Sequence, residues 1–232
     1  MDDLRPAAEL AALAPARWPG ESADYRAART ALLAEEIELR RHIQRVAAQR
    51  RALPAGAEVE DYSFEGRTGP IRLSDLFGDK DTLVLYGMMY GPERQNGCPM
   101  CSAMLDAWDG EARHMEERVA LAVVARSPIQ RLLAYAGERG WTGLRMLSDP
   151  TGDYWRDWSG TGDPDADAPS YTVFTRRDGT IRHFWSAEGG SLTADPGFDP
   201  HPAPDWNPLW IMLDTVPEGR GADWYPKLDD GR

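Results

Sequence analysis

DTLVLYGMMYGPERQNGCPMCSAMLDAWDG, residues Asp81 to Gly110, decides the fold. Leu83, Val84, Leu85 and Tyr86 make a short apolar run of the kind a buried strand carries. Gly91-Pro92 breaks it, and a polar loop from Glu93 to Gly97 leads into Cys98-Pro99-Met100-Cys101. Helical periodicity follows. A strand that delivers a Cys-x-x-Cys pair to the first turn of a helix is the arrangement of a thiol–disulfide site. The first N–H groups of a helix lack intrahelical partners, and the aligned peptide dipoles make that end partly positive. A thiolate on Cys98 is stabilised there. Pro99 suits the first helical position, where its missing N–H costs nothing. Cys101, one turn on and on the same face, is the natural resolving thiol.

Outward from that stretch, the order of elements is strand, helix, strand, helix, strand. Val119 to Val124 reads as a second buried strand, and Ser127-Pro128 opens a helix with Ser127 as its cap, ending near Gly137 to Gly140. Leu144 to Leu147 is a third strand. Such alternation implies a parallel sheet with right-handed crossovers. Met104, Trp108 and Met115 share one face of the helix after the cysteines and are read as core. Tyr171 to Thr175 and Thr180 to Trp185 form a hairpin across Asp178-Gly179. Between these lies Asp149 to Ala168, charged and turn-rich, read as a solvated loop in which Trp155 and Trp158 serve as anchors or cleft lining.

Before the cysteines, Glu58 to Phe64 and Pro70 to Leu73 read as two short strands, and Ser74 to Gly78 as a capped turn. Residues 1–55 form an N-terminal arm, with a short helix near Ala7 to Leu13 and a long amphipathic helix from Ser22 or Asp24 to about Arg51. Leu32, Leu39, Ile43 and Val46 make its stripe, with Leu33 and Ile37 beside them, and Glu36 with Arg40 is an i, i+4 pair. That stripe packs onto a body or onto a second copy, so a homodimer is one expectation. Residues 56–232 form the main domain. Residues 186–207 show no periodicity, Leu209 to Leu213 is one more helical turn, and the tail from Pro217 is irregular.

Composition narrows the function classes. A net charge of −12 over 232 residues, with 38 acidic against 26 basic side chains, excludes the basic stripe a nucleic-acid partner needs. No apolar run is long enough to span a bilayer, and the start of the chain lacks a charged lead followed by an apolar block, which points to the cytoplasm. There a lone close pair of cysteines is more often catalytic or metal-binding than structural. Zinc needs two more ligands, and His42, His114, His183 and His201 offer no pair at ligand spacing. A peroxide-reducing site carries a Thr three residues before the reactive cysteine and a Pro seven before it. Gln95 and Gly91 stand at those places. An inert pair is the remaining alternative to a redox dithiol. Glu93 and Arg94 stand close enough to Cys98 to act on its thiolate by charge, although a solvated loop is the reading favoured for them.

The runs YRAARTALLAEEIELRRHIQRVAAQRRALP, IRLSDLFGDKDTLVLYGMMYGP and GCPMCSAMLDAWDG, with TVFTRRDGTIRHFWSAEG and LWIMLDTVPEGRG, resemble the bacterial proteins grouped as domain of unknown function 899. The resemblance covers about Tyr25 to Gly221. It implies a thioredoxin-like α/β fold, a central mixed sheet flanked by helices with an N-terminal long helix and a C-terminal extension. It also implies a dithiol–disulfide oxidoreductase acting through Cys98 and Cys101 with no organic cofactor. In such a fold a proline, often in cis, precedes the strand facing the cysteines, and Pro169 stands at that place in the order. Pro99, Met100, Pro169 and Ser170 are therefore the candidate substrate contacts. The partners expected are a protein or small-molecule thiol or disulfide and an upstream electron donor. Trp206, Trp210 and Trp224 mark the extension, which is expected to cap the sheet edge or narrow access to Cys98. A non-catalytic binding or assembly protein on the same scaffold, or a peroxiredoxin-like reductase, are the alternative functions.

Overall fold

The computed structural model describes residues 4–161, 163, 165–188, 207–221 and 224–228. The chain divides into two units, Met1–Pro54 and Ala55–Arg232. In the first, α1 (Ala7–Ala12) lies against α2 (Ala23–Arg51). The Ser22 hydroxyl accepts the Tyr25 N–H at 3.1 Å and caps α2, as an extended Ser before a helix should. Ala7, Ala11 and Ile37 are buried between the two helices, with Leu10, Leu33 and Ala34 beside them. Leu32, Leu39 and Ile43 lie on another face of α2 and stay exposed. Glu36 bonds Arg29, 3.0 Å away, rather than the expected Arg40. Pairs of this kind on a helix surface gain so little that local rotamers decide them.

The second unit is built on a seven-stranded sheet. Its elements are β1 (Ser63–Gly66), β2 (Gly69–Arg72), α3 (Leu73–Leu76), β3 (Thr82–Gly87), α4 (Pro99–Glu116), β4 (Ala120–Ala125), α5 (Ile129–Arg139), β5 (Met146–Ser148), α6 (Asp153–Trp158), β6 (Ser170–Arg177), β7 (Thr180–Ser186) and α7 (Pro208–Leu213). The strand order is β2-β1-β5-β4-β3-β6-β7. β3, β4 and β5 run parallel, while β6 pairs antiparallel with β3 and β7 with β6. The block β4-β3-β6-β7, a parallel βαβ pair continued by an antiparallel hairpin, is the thioredoxin-like arrangement. Asp178 and Gly179, both at positive φ (51° and 78°), make the tight hairpin turn that this pair of residue types favours.

β3 and β4 are covered on both faces, so their sequences are continuous apolar runs rather than alternating ones. Val84, Tyr86, Leu121 and Val123 face one core with Met104 and Leu105 of α4 and Leu132 of α5. Leu83, Leu85, Ala122 and Val124 face the other, with Leu73 and Leu76 of α3, Tyr154 of α6 and Phe174 of β6. Alternation along each strand sends neighbours to opposite layers.

Several expectations change. β1 is shorter than Glu58 to Phe64, since Glu58 makes only an isolated bridge with Arg182. Ser127 does not cap α5: Pro128 holds the cap position and the Ser127 hydroxyl donates to the Gly91 carbonyl at 3.2 Å. A tertiary acceptor has outcompeted the local one. Asp149 to Ala168 is not wholly a solvated loop, because it contains α6 with Tyr154 and Trp155 buried. Met115 is exposed rather than core, since it lies in the last turn of α4, past the edge of the packed layer. Of the C-terminal tryptophans, Trp210 is buried with Trp224 edge-on to it at 6.0 Å, whereas Trp206 and most of 186–207 lie outside the described residues.

Candidate functional site

β3 ends at Gly87, and the chain from Met88 to Gly97 crosses the end of the sheet before α4 begins. Two backbone bonds hold this crossing: Met88 N–H to Val124 O at 2.8 Å and Cys98 N–H to Met89 O at 3.1 Å. Cys98 is the N-cap residue of α4, in extended conformation (φ −63°, ψ 128°), and Pro99 follows at the first helical position. Gly97 has to be glycine for reasons of space. A Cβ there would lie 2.6 Å from Met88 Cε and 2.9 Å from the Tyr135 ring. The end of the loop that leads into Cys98 is thus wedged against core side chains.

The two thiols are free and unlike each other. Cys98 is half-buried and Cys101 is 2% exposed. The Cys98 thiol is pulled down to about 6, first by the Cys101 thiol that faces it as a hydrogen-bond donor. Burial opposes this, and the amides of Cys101 and Met100 and the charge of Arg94 reinforce it. Cys98 forms no full side-chain cap bond, so the helix end acts on the sulfur as oriented dipoles. Cys101 is pushed well up by the same pairing and by its burial. Two donors counteract that: the hydroxyl of Tyr86 and the amide of Met89, both directed at the Cys101 sulfur. Tyr86 is itself buried, which raises its own titration far above the ordinary range and keeps it a proton donor.

Linkage gives a first prediction. Cys98 titrates lower in the reduced fold than in the unfolded chain, so its contribution to stability is full above the ordinary thiol range near 9 and vanishes as pH falls through about 6. The urea midpoint of the reduced parent, measured against Cys98→Ser, is expected to rise as pH increases across that window. A flat difference would remove the thiolate from the site.

Neighbouring side chains complete the surroundings. Ser102 donates to the Cys98 carbonyl at 2.9 Å and shares a 2.7 Å bond with the Tyr135 hydroxyl. Arg94 is half-buried and ion-paired with Asp167, so it acts on Cys98 by charge while Glu93 stays exposed. Pro169 is half-buried, and its peptide bond is trans, as are all the described ones. Ser170 pairs with Gly87, which brings Pro169 to the end of the sheet where α4 starts. The Ser170 hydroxyl is buried without a partner. Pro99 and Met100 are half-buried on the first turn of α4. Among the described residues, no group of three or more His, Cys, Asp or Glu side chains converges to hold a metal ion.

The sequence singles out the cysteine pair and raises Arg94 as a candidate. It does not single out Tyr86, which looks like one more apolar strand residue, or Asp167, which looks like solvated loop. A hydroxyl on the inward side of the strand that leads to the cysteines is the available signal for the first.

A family model described as bacterial protein of unknown function (DUF899) matches residues 16–231. No curated protein matches the chain. Among solved structures, peroxidoxin BcpB from Mycobacterium tuberculosis superposes with a TM-score of 0.42 and 22% identity, over 53% of this chain and 79% of that one. A peroxiredoxin Q variant from Xylella fastidiosa gives 0.45 at 14% identity, over 58% and 84%. A structure assigned as the thiol:disulfide interchange protein DsbE of Chlorobium tepidum gives 0.41 at 16%, also over 58% and 84%. These superpositions are partial, and the fold assignment rests on strand order and register. No described helix is long and apolar enough to cross a membrane.

Proposed function

The chain belongs to the DUF899 family of bacterial proteins of unknown function, and from that premise we propose that it is a dithiol–disulfide oxidoreductase with Cys98 as nucleophile and Cys101 as resolving thiol. The observation that supports this is the asymmetry of the pair: an accessible sulfur held as thiolate, and a buried one held as thiol until called upon. In the forward direction the Cys98 thiolate attacks one sulfur of a substrate disulfide. That S–S bond breaks, and the departing thiolate takes a proton from solvent. Cys101 then loses its proton and attacks the Cys98 sulfur, which releases the second substrate thiol. The substrate gains two electrons and two protons, and the pair becomes a disulfide. An external thiol reductant returns it to the dithiol.

Tyr86 supports the second step, because its hydroxyl points at the sulfur on which negative charge develops. Pro99, Met100, Pro169 and Ser170 are the proposed contacts for the substrate chain around its disulfide. A thiol-rich compartment such as the cytoplasm would keep the pair reduced.

The test is the rate of Cys98 alkylation against pH in the reduced full chain, followed by mass spectrometry. A midpoint near 6 is expected. A midpoint at or above the ordinary value of about 8.5 would overturn the reading. In parallel, Cys98→Ser should abolish disulfide turnover; a binding scaffold would show no turnover in the parent either and would keep its partner in the variant.

A further inference from the structure

Arg131 lies on α5, on a different element from either cysteine, yet it bonds to the loop that leads to them. One guanidinium nitrogen donates to Pro92 O at 3.1 Å and to the Ser127 hydroxyl at 3.4 Å. Another donates to Gln95 O at 2.9 Å and to Arg94 O. The guanidinium plane also sits over the Tyr90 ring, 4.5 Å from its centroid. Among the described residues it pairs with no carboxylate, so its charge and its fork of donors are spent on three carbonyls of one short loop. Ser127, four residues earlier, adds two more ties, to Tyr90 O and Gly91 O.

The side chain this loop presents to the site is that of Arg94. Its positive charge acts on Cys98, and its guanidinium is ion-paired with Asp167. A long side chain on a polar loop reaches a fixed place only if its backbone is fixed. Here its own carbonyl and those of Pro92 and Gln95 are held by a single rigid, planar group. Arginine is suited to this because its donors diverge in one plane, whereas a lysine ammonium on a flexible stem reaches one or two carbonyls at most.

We propose that Arg131 is a positioning residue for the dithiol, clamping the Gly91–Gly97 loop so that the charge of Arg94 is held where it acts on Cys98. The inference rests on the reading of Cys98 as the reactive thiolate. It assigns to α5 a task in the site beyond covering the sheet.

The experiment is a cycle of alkylation midpoints in the reduced full chain for the parent, Arg94→Ala, Arg131→Ala and the double variant, with iodoacetamide as probe. Arg131→Ala is expected to raise the midpoint as far as Arg94→Ala does, because both take the same opposite charge away from the thiolate. The double variant should then match Arg94→Ala alone, because the clamp acts through the residue it positions. An unchanged midpoint in Arg131→Ala, or a shift that adds in full to that of Arg94→Ala, would overturn the proposal. Should Arg131→Ala fail to fold, Arg131→Lys carries the test: it is expected to fold and to shift the midpoint in the same direction, and the parental midpoint would overturn the role. A parental midpoint at the ordinary thiol value overturns the oxidoreductase reading together with this one. A low parental midpoint that Arg131 does not move overturns this one alone.

Discussion

Exchanging Cys101 for serine is expected to turn a catalyst into a trap. Cys101 is buried against Tyr86 and Met89, with its sulfur facing that of Cys98. Serine keeps roughly the size and, as a better donor than a thiol, a hydrogen bond to Cys98, but it cannot attack a disulfide sulfur. Cys98 and Cys101 are the two cysteines of these 232 residues, so no third thiol among them can take over. Attack by Cys98 remains possible in the variant, since the helix-end amides and Arg94 are untouched. The first half of the cycle therefore proceeds and the second stops. Turnover of a disulfide substrate should fall by roughly 100-fold or more, as an intramolecular step is replaced by attack from dilute external thiols. Over the same interval, intact mass under non-reducing conditions should show one substrate moiety covalently held per chain. Parental turnover, or a variant that never accumulates the adduct, would remove Cys101 from the resolving role.

The second large effect is on stability. Trp155 is 0% exposed, and its indole N–H donates to Ala166 O at 2.8 Å. Its backbone N–H donates to the Asp149 carboxylate, also at 2.8 Å, which ties α6 to the end of β5. Trp155→Ala is expected to cost about 3–5 kcal/mol, the range for deleting a large aromatic from a packed core. The unpaired Ala166 carbonyl places it toward the upper end. Trp155→Phe should cost less, since it keeps most of the contact surface and loses only the indole bond. Urea unfolding followed by far-ultraviolet dichroism measures both. A loss within about 0.5 kcal/mol for Trp155→Ala, the level of an ordinary surface change, would place this side chain outside the core.

These two residues also mark how far the sequence could be read. Cys98 and Cys101 were legible because their message is local: the spacing, the proline between them and the strand before them all lie within one short run. The sheet was legible for a similar reason, since β3 and β4 are buried on both faces and show continuous apolar runs. Trp155 was not. It sits among Asp149, Asp153, Arg156 and Asp157, and a composition so polar hides a helix whose buried side is two aromatic rings. What buries Trp155 lies across the fold and leaves no mark at that spacing. Ser127 shows the same limit: the local rule makes it a cap, but a carbonyl distant in sequence takes its hydroxyl. Tyr86, Arg131 and Asp167 reach the site from a strand, a helix and a loop that meet only in the folded unit.

The place of Cys98 at the head of α4 has one more consequence. The amides of Met100 and Cys101 lack helical partners and turn toward its sulfur. The charge that a thiolate carries there is thus also what best complements the start of the helix. Once that sulfur is bonded to another, the charge is gone and the helix end loses its complement. Each cycle of the proposed reaction would therefore remove and restore the negative charge at the head of α4, so that the helix start is best complemented when the protein is ready to react.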